Sequence, residues 1–255
     1  MKTVDIVTVA FNNADILNIQ YQFLKRNLKN AFVYHILDNS TNDGISNIIK
    51  KFCTIYEIDY IKTNTDHTDF SISHGLAIND LLGKIVFEKE LLLFLDHDII
   101  PIKEINLDDN LGDSDFYGLK QINAVANNWY LRPVLFLCKN DLKYVKALNF
   151  LPCKGADSGG SNYETLFKYL PEGKVTDVKD FKYYSLTKSI DNFKHHVFIM
   201  HQLHDNIQQY HGDNDLSECM DGWLHFINTS DWNNKGSKMD KIIEFTDLLF
   251  NKLDI

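Results

Sequence analysis

Glu90-Leu91-Leu92-Leu93-Phe94-Leu95-Asp96-His97-Asp98-Ile99-Ile100-Pro101 is the stretch on which the fold of this 255-residue chain turns. Leu91 to Leu95 is an unbroken apolar run of strand length. That pattern belongs to a strand buried on both faces, in the middle of a parallel or mixed sheet. The run stops at two carboxylates separated by one residue, and Pro101 then stops any continuation. Ligands of open α/β sheets bind beyond the carboxyl ends of the strands, which is where Asp96 and Asp98 stand. Two carboxylates at i and i+2 can converge on one hard divalent cation, whose charge offsets their repulsion. The alternative is that they merely cap the turn that follows the strand. Asp-x-Asp recurs at Asp113/Asp115 and Asp213/Asp215, but only the first copy ends a buried strand.

Upstream, Val4 to Phe11 reads as a first strand, broken by Asn12-Asn13. Asp15 is expected to cap a helix through Lys29, with apolar residues at near-helical spacing. Phe32 to Leu37 forms a second strand that runs into the polar turn Asp38 to Gly44. A helix over Ile45–Tyr56, a short strand over Ile58–Lys62 and a helix over His74–Glu88 complete the alternation. Strands and helices at this pitch make right-handed βαβ units. After Pro101 the grammar changes. Strands are predicted at Phe116–Ile122 and Trp129–Cys138, helices at Asp141–Leu148 and Tyr163–Leu170, and a closing amphipathic helix at Met239–Leu253. No flexible linker or repeat interrupts the chain. The expectation is one compact α/β domain in which residues 1–101 form a nucleotide-binding half and residues 102–255 complete the site.

Composition narrows the function classes. A net charge of -9, with Arg26 and Arg132 as the only arginines, argues against a nucleic-acid partner. Cys53, Cys138, Cys153 and Cys219 form no Cys-x-x-Cys pair, so neither a zinc site nor thioredoxin-like chemistry is indicated. No apolar run has membrane-spanning length, and Met1-Lys2-Thr3-Val4-Asp5 carries no apolar leader. A soluble, cytoplasmic protein is expected.

The ordered motifs resemble the GT-A glycosyltransferases, most closely the family 2-like enzymes of surface-polysaccharide synthesis. Ile6-Val7-Thr8-Val9-Ala10-Phe11-Asn12-Asn13 is similar to the family segment that approaches the nucleotide base. Ile36-Leu37-Asp38-Asn39 resembles its second-strand motif, although Asn39 replaces one of two adjacent acids. Ser73-His74-Gly75 resembles the loop-helix near the nucleoside, and Asp96-His97-Asp98 its metal motif. The family's arginine-rich acceptor segment is missing. The resemblance implies a GT-A-like Rossmann-type mixed sheet flanked by helices. It further implies transfer from a nucleotide-diphosphate sugar, UDP-sugar favoured, to a glycan, lipid-linked or other hydroxyl acceptor. Val9, Ala10, Phe11, Asn12, Asp38, Ser73, His74, Gly75 and Asp96 would then line the nucleotide site. Asp98 would ligate Mn²⁺ or Mg²⁺ directly, with Asp96 bridging metal and ribose.

Late in the chain stand His195, His196, His201, His204, His211 and His225. His225, in Trp223-Leu224-His225-Phe226, resembles the late histidine that completes the metal site in related transferases; His201 is the reserve. An inverting transfer needs a base for the acceptor hydroxyl. Asp157, in the glycine-rich loop Gly155 to Ser161, is the candidate, with Glu164 as substitute; Asp157 or Ser161 could equally be a helix cap. Trp129, Tyr130, Trp223 and Trp232 could stack on sugar or serve the core. Two alternatives stay open. One is a zinc-dependent hydrolase using the late histidines, although His-Glu-x-x-His is absent. The other is a non-catalytic sugar- or nucleotide-binding module of the same fold.

Overall fold

The computed structural model describes residues 1–66, 68–185, 216–226, 240 and 242–243, with backbone alone for 182–185 and 216. The predicted closing helix and the histidines between 195 and 211 lie outside these residues, as does Trp232. Contacts sort the chain into two compact units. The first comprises Met1–Ala14, Lys29–His97 and Asn106–Val178; the second comprises Asp15–Leu28, Asp98–Ile105 and the described residues from Lys179 onward.

The first unit is a mixed α/β layer. Its strands are β1 (Val4–Ala10), β2 (Phe32–Asp38), β3 (Asp59–Lys62) and β4 (Leu91–Asp96), then β6 (Phe116–Asn123), β7 (Asn128–Lys139) and β8 (Val175–Asp177), with β5 (Ile99–Pro101) belonging to the second unit. They form one seven-stranded sheet in the order β3-β2-β1-β4-β7-β6-β8. The first four are parallel neighbours, and β7 runs antiparallel to both β4 and β6. With neighbours on both edges and cover on both faces, Leu91 to Leu95 are at most 2% exposed, as an all-apolar run requires.

Helix α1 (Ala14–Asn27) belongs mostly to the second unit, whereas α2 (Asp43–Tyr56) and α3 (Phe70–Lys84) are built into the first. Asn42 and Asp69 start α2 and α3 by accepting the amides of Ile45 and Ile72. Ala77, Ile78 and Leu81 of α3 share a core with Val7, Val9, Leu92, Phe94, Phe136 and Phe150. The predicted helix over Asp141–Leu148 shrinks to α5 (Leu142–Val145), after the short α4 (Leu107–Leu111). Asp141 caps α5 as expected, and the Lys146 and Leu148 amides still reach back to the Leu142 and Tyr144 carbonyls, but the regular helix stops at Val145; past Leu148 the Asn149 amide is taken by the Asn162 side chain 2.7 Å away. The expected Tyr163–Leu170 helix is likewise only α6 (Asn162–Thr165) followed by one 3₁₀ turn at Phe167–Tyr169.

The second Asp-x-Asp is structural. Asp113 is exposed, while Asp115 is buried against Lys139 at 2.5 Å, Lys174 at 3.2 Å and the Tyr144 hydroxyl at 2.6 Å. Burial pushes the Asp115 carboxyl up, but the hydrogen bonds from Lys139, Tyr144 and Lys174 outweigh it and hold the group at about 2.

The second unit contains a four-stranded sheet in the order β5-β11-β10-β9, made by β5, β9 (Phe181–Ser185), β10 (Leu216–Met220) and β11 (Trp223–Phe226). Pro101 therefore does not end strand structure after the acids; it closes β5, an edge strand of a different sheet. Two amides of α1 occupy the carbonyls on that edge, with Gln20 donating to Ile99 at 2.7 Å and Asn27 to Pro101 at 2.6 Å. Among the described residues no helix is long and apolar enough to cross a membrane.

Candidate functional site

In the first unit, strand register assembles the expected site residues. Ala10 pairs with Asp38 across β1 and β2, and Val9 pairs with Asp96 across β1 and β4. The carboxyl ends of three neighbouring strands thus present Ala10, Asp38 and Asp96 side by side. His97, between the two acids of the motif, bonds through Nδ1 to the Val9 carbonyl at 3.1 Å and so ties the end of β4 to the end of β1.

Asn12 organises the loop beyond β1. Its backbone is left-handed, with φ of 48°, a conformation Asn tolerates better than most residues. Its Oδ1 accepts the amides of Thr41 and Asn42 at 3.1 and 3.0 Å, and its own amide donates to Ser40 Oγ at 2.9 Å. Asp38 is 0% exposed: Oδ1 accepts the Ser40 amide at 3.0 Å and Oδ2 accepts the Tyr60 hydroxyl at 2.8 Å, with Lys62 Nζ 3.5 Å away. Burial raises its pKa, and hydrogen bonds from Ser46, Ser40 and Tyr60 more than reverse that, so it remains an anion inside the loop. Phe11, Asn12, His74 and Asp96 are partly open at this strand end, with Phe70 of α3 edge-on to Phe11 at 5.7 Å between ring centres.

Asn39, which stands where the resembled motif has an acid, is fixed by hydrogen-bond logic. Its Nδ2 donates to Ser73 Oγ at 2.8 Å, and its Oδ1 accepts from Thr65 Oγ1 at 2.6 Å. Ser73 and Thr65 are themselves 2.6 Å apart. Thr65 has already given its proton to Asn39, so Ser73 must donate to Thr65, and the three bonds close a ring. Thr63 adds a second donor to Oδ1 at 2.6 Å. A carboxylate in place of this amide could not donate, and one oxygen pair in the ring would touch without a proton between them. Asn39→Asp is therefore expected to lower unfolding free energy by about 1–3 kcal/mol. Urea denaturation checks this, and a variant as stable as the parent would contradict the ring.

His74 lies between Asp96 and the glycine-rich loop. Its Nε2 is 3.1 Å from Asp96 Oδ1, and its Nδ1 is 3.3 Å from Ser158 Oγ. Asp157 is exposed, and its Oδ1 accepts both the Ser71 hydroxyl and the Ser158 amide, the latter at 2.7 Å. Its own amide donates to the buried Tyr130 hydroxyl at 3.1 Å. Asp157 is not a helix cap here, and Ser161 occupies the α6 cap position without capping it, its hydroxyl donating instead to the Pro152 carbonyl at 3.4 Å. Gly155 and Gly159 take φ of 78° and 86°, so the loop's glycines serve its turns. Gly75 likewise serves packing: a Cβ there would lie 2.2 Å from the Phe150 carbonyl oxygen. Of the aromatic residues, Trp223 and Tyr130 are core, while Trp129 stacks on Phe167 and carries Lys120 on its ring at 4.4 Å.

In the second unit, Asp98 is 6% exposed and faces His225, whose Nε2 lies 3.4 Å from Asp98 Oδ1. The other imidazole nitrogen, Nδ1, is 2.9 Å from Oε2 of the buried Glu218. The Phe226 amide donates to the Asp98 carbonyl at 2.9 Å and locks the acid to the end of β11. Burial works against a charged imidazole, but the fields and hydrogen bonds of Asp98 and Glu218 prevail and raise the His225 pKa to about 10. One carboxylate oxygen and one imidazole nitrogen, buried and facing each other, suit Mn²⁺ or Mg²⁺, with Mn²⁺ accepting the nitrogen more readily. Their spacing is close to the roughly 3 Å between adjacent donors in an octahedral shell.

No protein-family model matches the chain, and no curated protein matches it. Solved structures do show similarity. The galactosyltransferase LgtC in complex with donor and acceptor sugar analogues is 14% identical, over 98% of this chain and 96% of that one, with a TM-score of 0.49. Glucosyl-3-phosphoglycerate synthase from Mycobacterium tuberculosis, in complex with Mn²⁺, UDP-glucose and phosphoglyceric acid, is 13% identical over 69% of each chain, with a TM-score of 0.45. The mannosyltransferase PcManGT from Pyrobaculum calidifontis, in complex with GDP-Man and Mn²⁺, is 11% identical over 69% of this chain, with a TM-score of 0.41; this chain spans 56% of its length.

Proposed function

We propose that this chain is a divalent-metal-dependent glycosyltransferase, taking a sugar from a nucleotide-diphosphate donor and passing it to a hydroxyl acceptor. The observation that carries the reading is the buried Asp98–His225 pair at 3.4 Å, reached directly from the strand that ends in Asp96. Asp96, Asp98 and His225 are the proposed ligands of Mn²⁺ or Mg²⁺. When bound, the ion neutralises charge that grows on the departing diphosphate. On the resemblance of the motifs, the favoured donor is a UDP-sugar. Its nucleoside would lie at the end of β1 against Phe11, Asn12 and His74, with Asp38, Asn39 and Ser73 bracing the loops beneath. Residues 1–101 would thus supply the nucleotide side and residues 102–255 the acceptor and metal-completing side.

For inverting transfer, Asp157 is the proposed base. Ser71 and the Ser158 amide both occupy its Oδ1, which holds the carboxylate in one orientation and leaves Oδ2 to take the acceptor proton. His74, hydrogen-bonded to Ser158 and Asp96, would keep the base loop in register with the metal-binding carboxylate.

A thermal-shift panel of UDP, GDP, CDP and ADP, each with Mn²⁺ and with EDTA, tests the reading. A ligand that binds only the folded chain at 100 times its Kd adds about 2.7 kcal/mol of stability. One diphosphate is expected to raise Tm in Mn²⁺ and to lose the effect in EDTA. Equal behaviour of all four in both conditions would remove the proposal.

A further inference from the structure

Glu218 is not legible in the sequence as a site residue, yet it is 5% exposed and carries a carboxylate into the interior of a small sheet. Burying a charge in this way is costly unless a partner answers it. The partner is set by strand register: β10 and β11 run antiparallel, and Glu218 stands directly opposite His225. Cross-strand neighbours on one face lie about 5 Å apart at Cβ, close enough for the two side chains to meet. They do meet, with Oε2 at 2.9 Å from Nδ1. The opposite nitrogen, Nε2, is the one turned to Asp98. The imidazole therefore has one edge committed to an acceptor and the other aimed at the carboxylate proposed above as a ligand.

We propose that Glu218 is a positioning residue for the metal site, fixing His225 as its Nδ1–H tautomer so that the Nε2 lone pair faces the ion. This rests on the reading of Asp98 and His225 as ligands. The chemistry is local. A carboxylate can only accept, so Nδ1 must keep its proton, and Nε2 is the nitrogen that must give one up to bind a cation. The anionic acceptor also makes the imidazole a stronger donor to the metal. Neither effect needs Glu218 to touch the ion.

Residues that orient ligating histidines in this way change metal affinity by about 10–100-fold when replaced. The test is direct Mn²⁺ binding to the full chain, followed by electron paramagnetic resonance of the free ion, with the metal-free Tm read alongside. Glu218→Gln keeps the shape and an acceptor oxygen but loses the charge; its Kd is expected to rise about tenfold. Glu218→Met removes the acceptor, and its Kd is expected to rise toward about 100-fold. A Tm that moves while both Kd values stay within about threefold of the parent would make Glu218 a purely structural residue and overturn the inference. If Glu218→Met does not fold, the Glu218→Gln value decides alone. A parent chain that binds no Mn²⁺ would overturn the metal reading itself, a result distinct from failure of Glu218 only.

Discussion

Asp98→Asn is expected to lower metal-dependent sugar transfer by at least about 10³-fold in kcat/KM, equivalent to about 4 kcal/mol of transition-state stabilisation. The substitution keeps the volume of a side chain that is only 6% exposed, and the backbone carbonyl still accepts the Phe226 amide. What changes is the charge facing His225 Nε2 and the anionic oxygen offered to a cation. On the proposed function, both losses would fall on the step in which charge builds on the leaving diphosphate. Turnover with each nucleotide sugar, measured in Mn²⁺ and in EDTA, checks this. An Asp98→Asn enzyme with parental activity and undiminished metal dependence would dispose of the assignment. Asp157→Asn is the informative contrast: the role proposed for it is proton transfer, so turnover should fall while Mn²⁺ affinity stays at the parental value.

The parts of this molecule that were legible in the sequence are those in which one local rule dominates. Leu91 to Leu95 reads as a doubly buried strand because no residue in the run offers a polar face, and each proves core. The strand–helix alternation of the first hundred residues follows for the same reason, with α1 found at Ala14–Asn27 and β3 at Asp59–Lys62. Beyond Pro101, local rules compete with long-range partners. Asp141 does start a helix, but the next free amide beyond its last turn, that of Asn149, is taken by the distant Asn162 side chain. Ile99 to Pro101 reads as a terminator, and becomes a strand because Trp223 to His225 pair with it and Gln20 and Asn27 satisfy its outer carbonyls. The candidate site residues divide in the same way. Asp96 and Asp98 are visible from their place at a strand end. Glu218 becomes meaningful only through its cross-strand register with His225, and Asn39 only through hydroxyls contributed by Thr63, Thr65 and Ser73.

Gly75→Ala is expected to destabilise the fold by about 2–4 kcal/mol, against the usual direction for such a change. Within a helix, replacing Gly by Ala ordinarily gains up to about 1 kcal/mol. At position 75 of α3 the new methyl would lie 2.2 Å from the Phe150 carbonyl oxygen and 2.8 Å from its carbon. Backbone there cannot yield cheaply. The same carbonyl accepts the Gly159 amide at 2.8 Å, and the Phe150 amide donates to Asn79 of α3 at 2.8 Å. The Phe150 ring is 0% exposed and packs on Phe94 and Phe136 at 4.6 and 5.4 Å between centres. Relieving the clash means parting α3 from this segment and giving up at least one of those bonds, which exceeds the helix-propensity gain. Gly83, in the same helix, supplies the control, since nothing lies within 4 Å of a Cβ built there. Gly83→Ala should follow propensity alone and stabilise by about 0.5–1 kcal/mol. Urea unfolding of both variants separates the two terms. Equal, favourable shifts would mean that α3 does not approach Phe150 as closely as the structure places it.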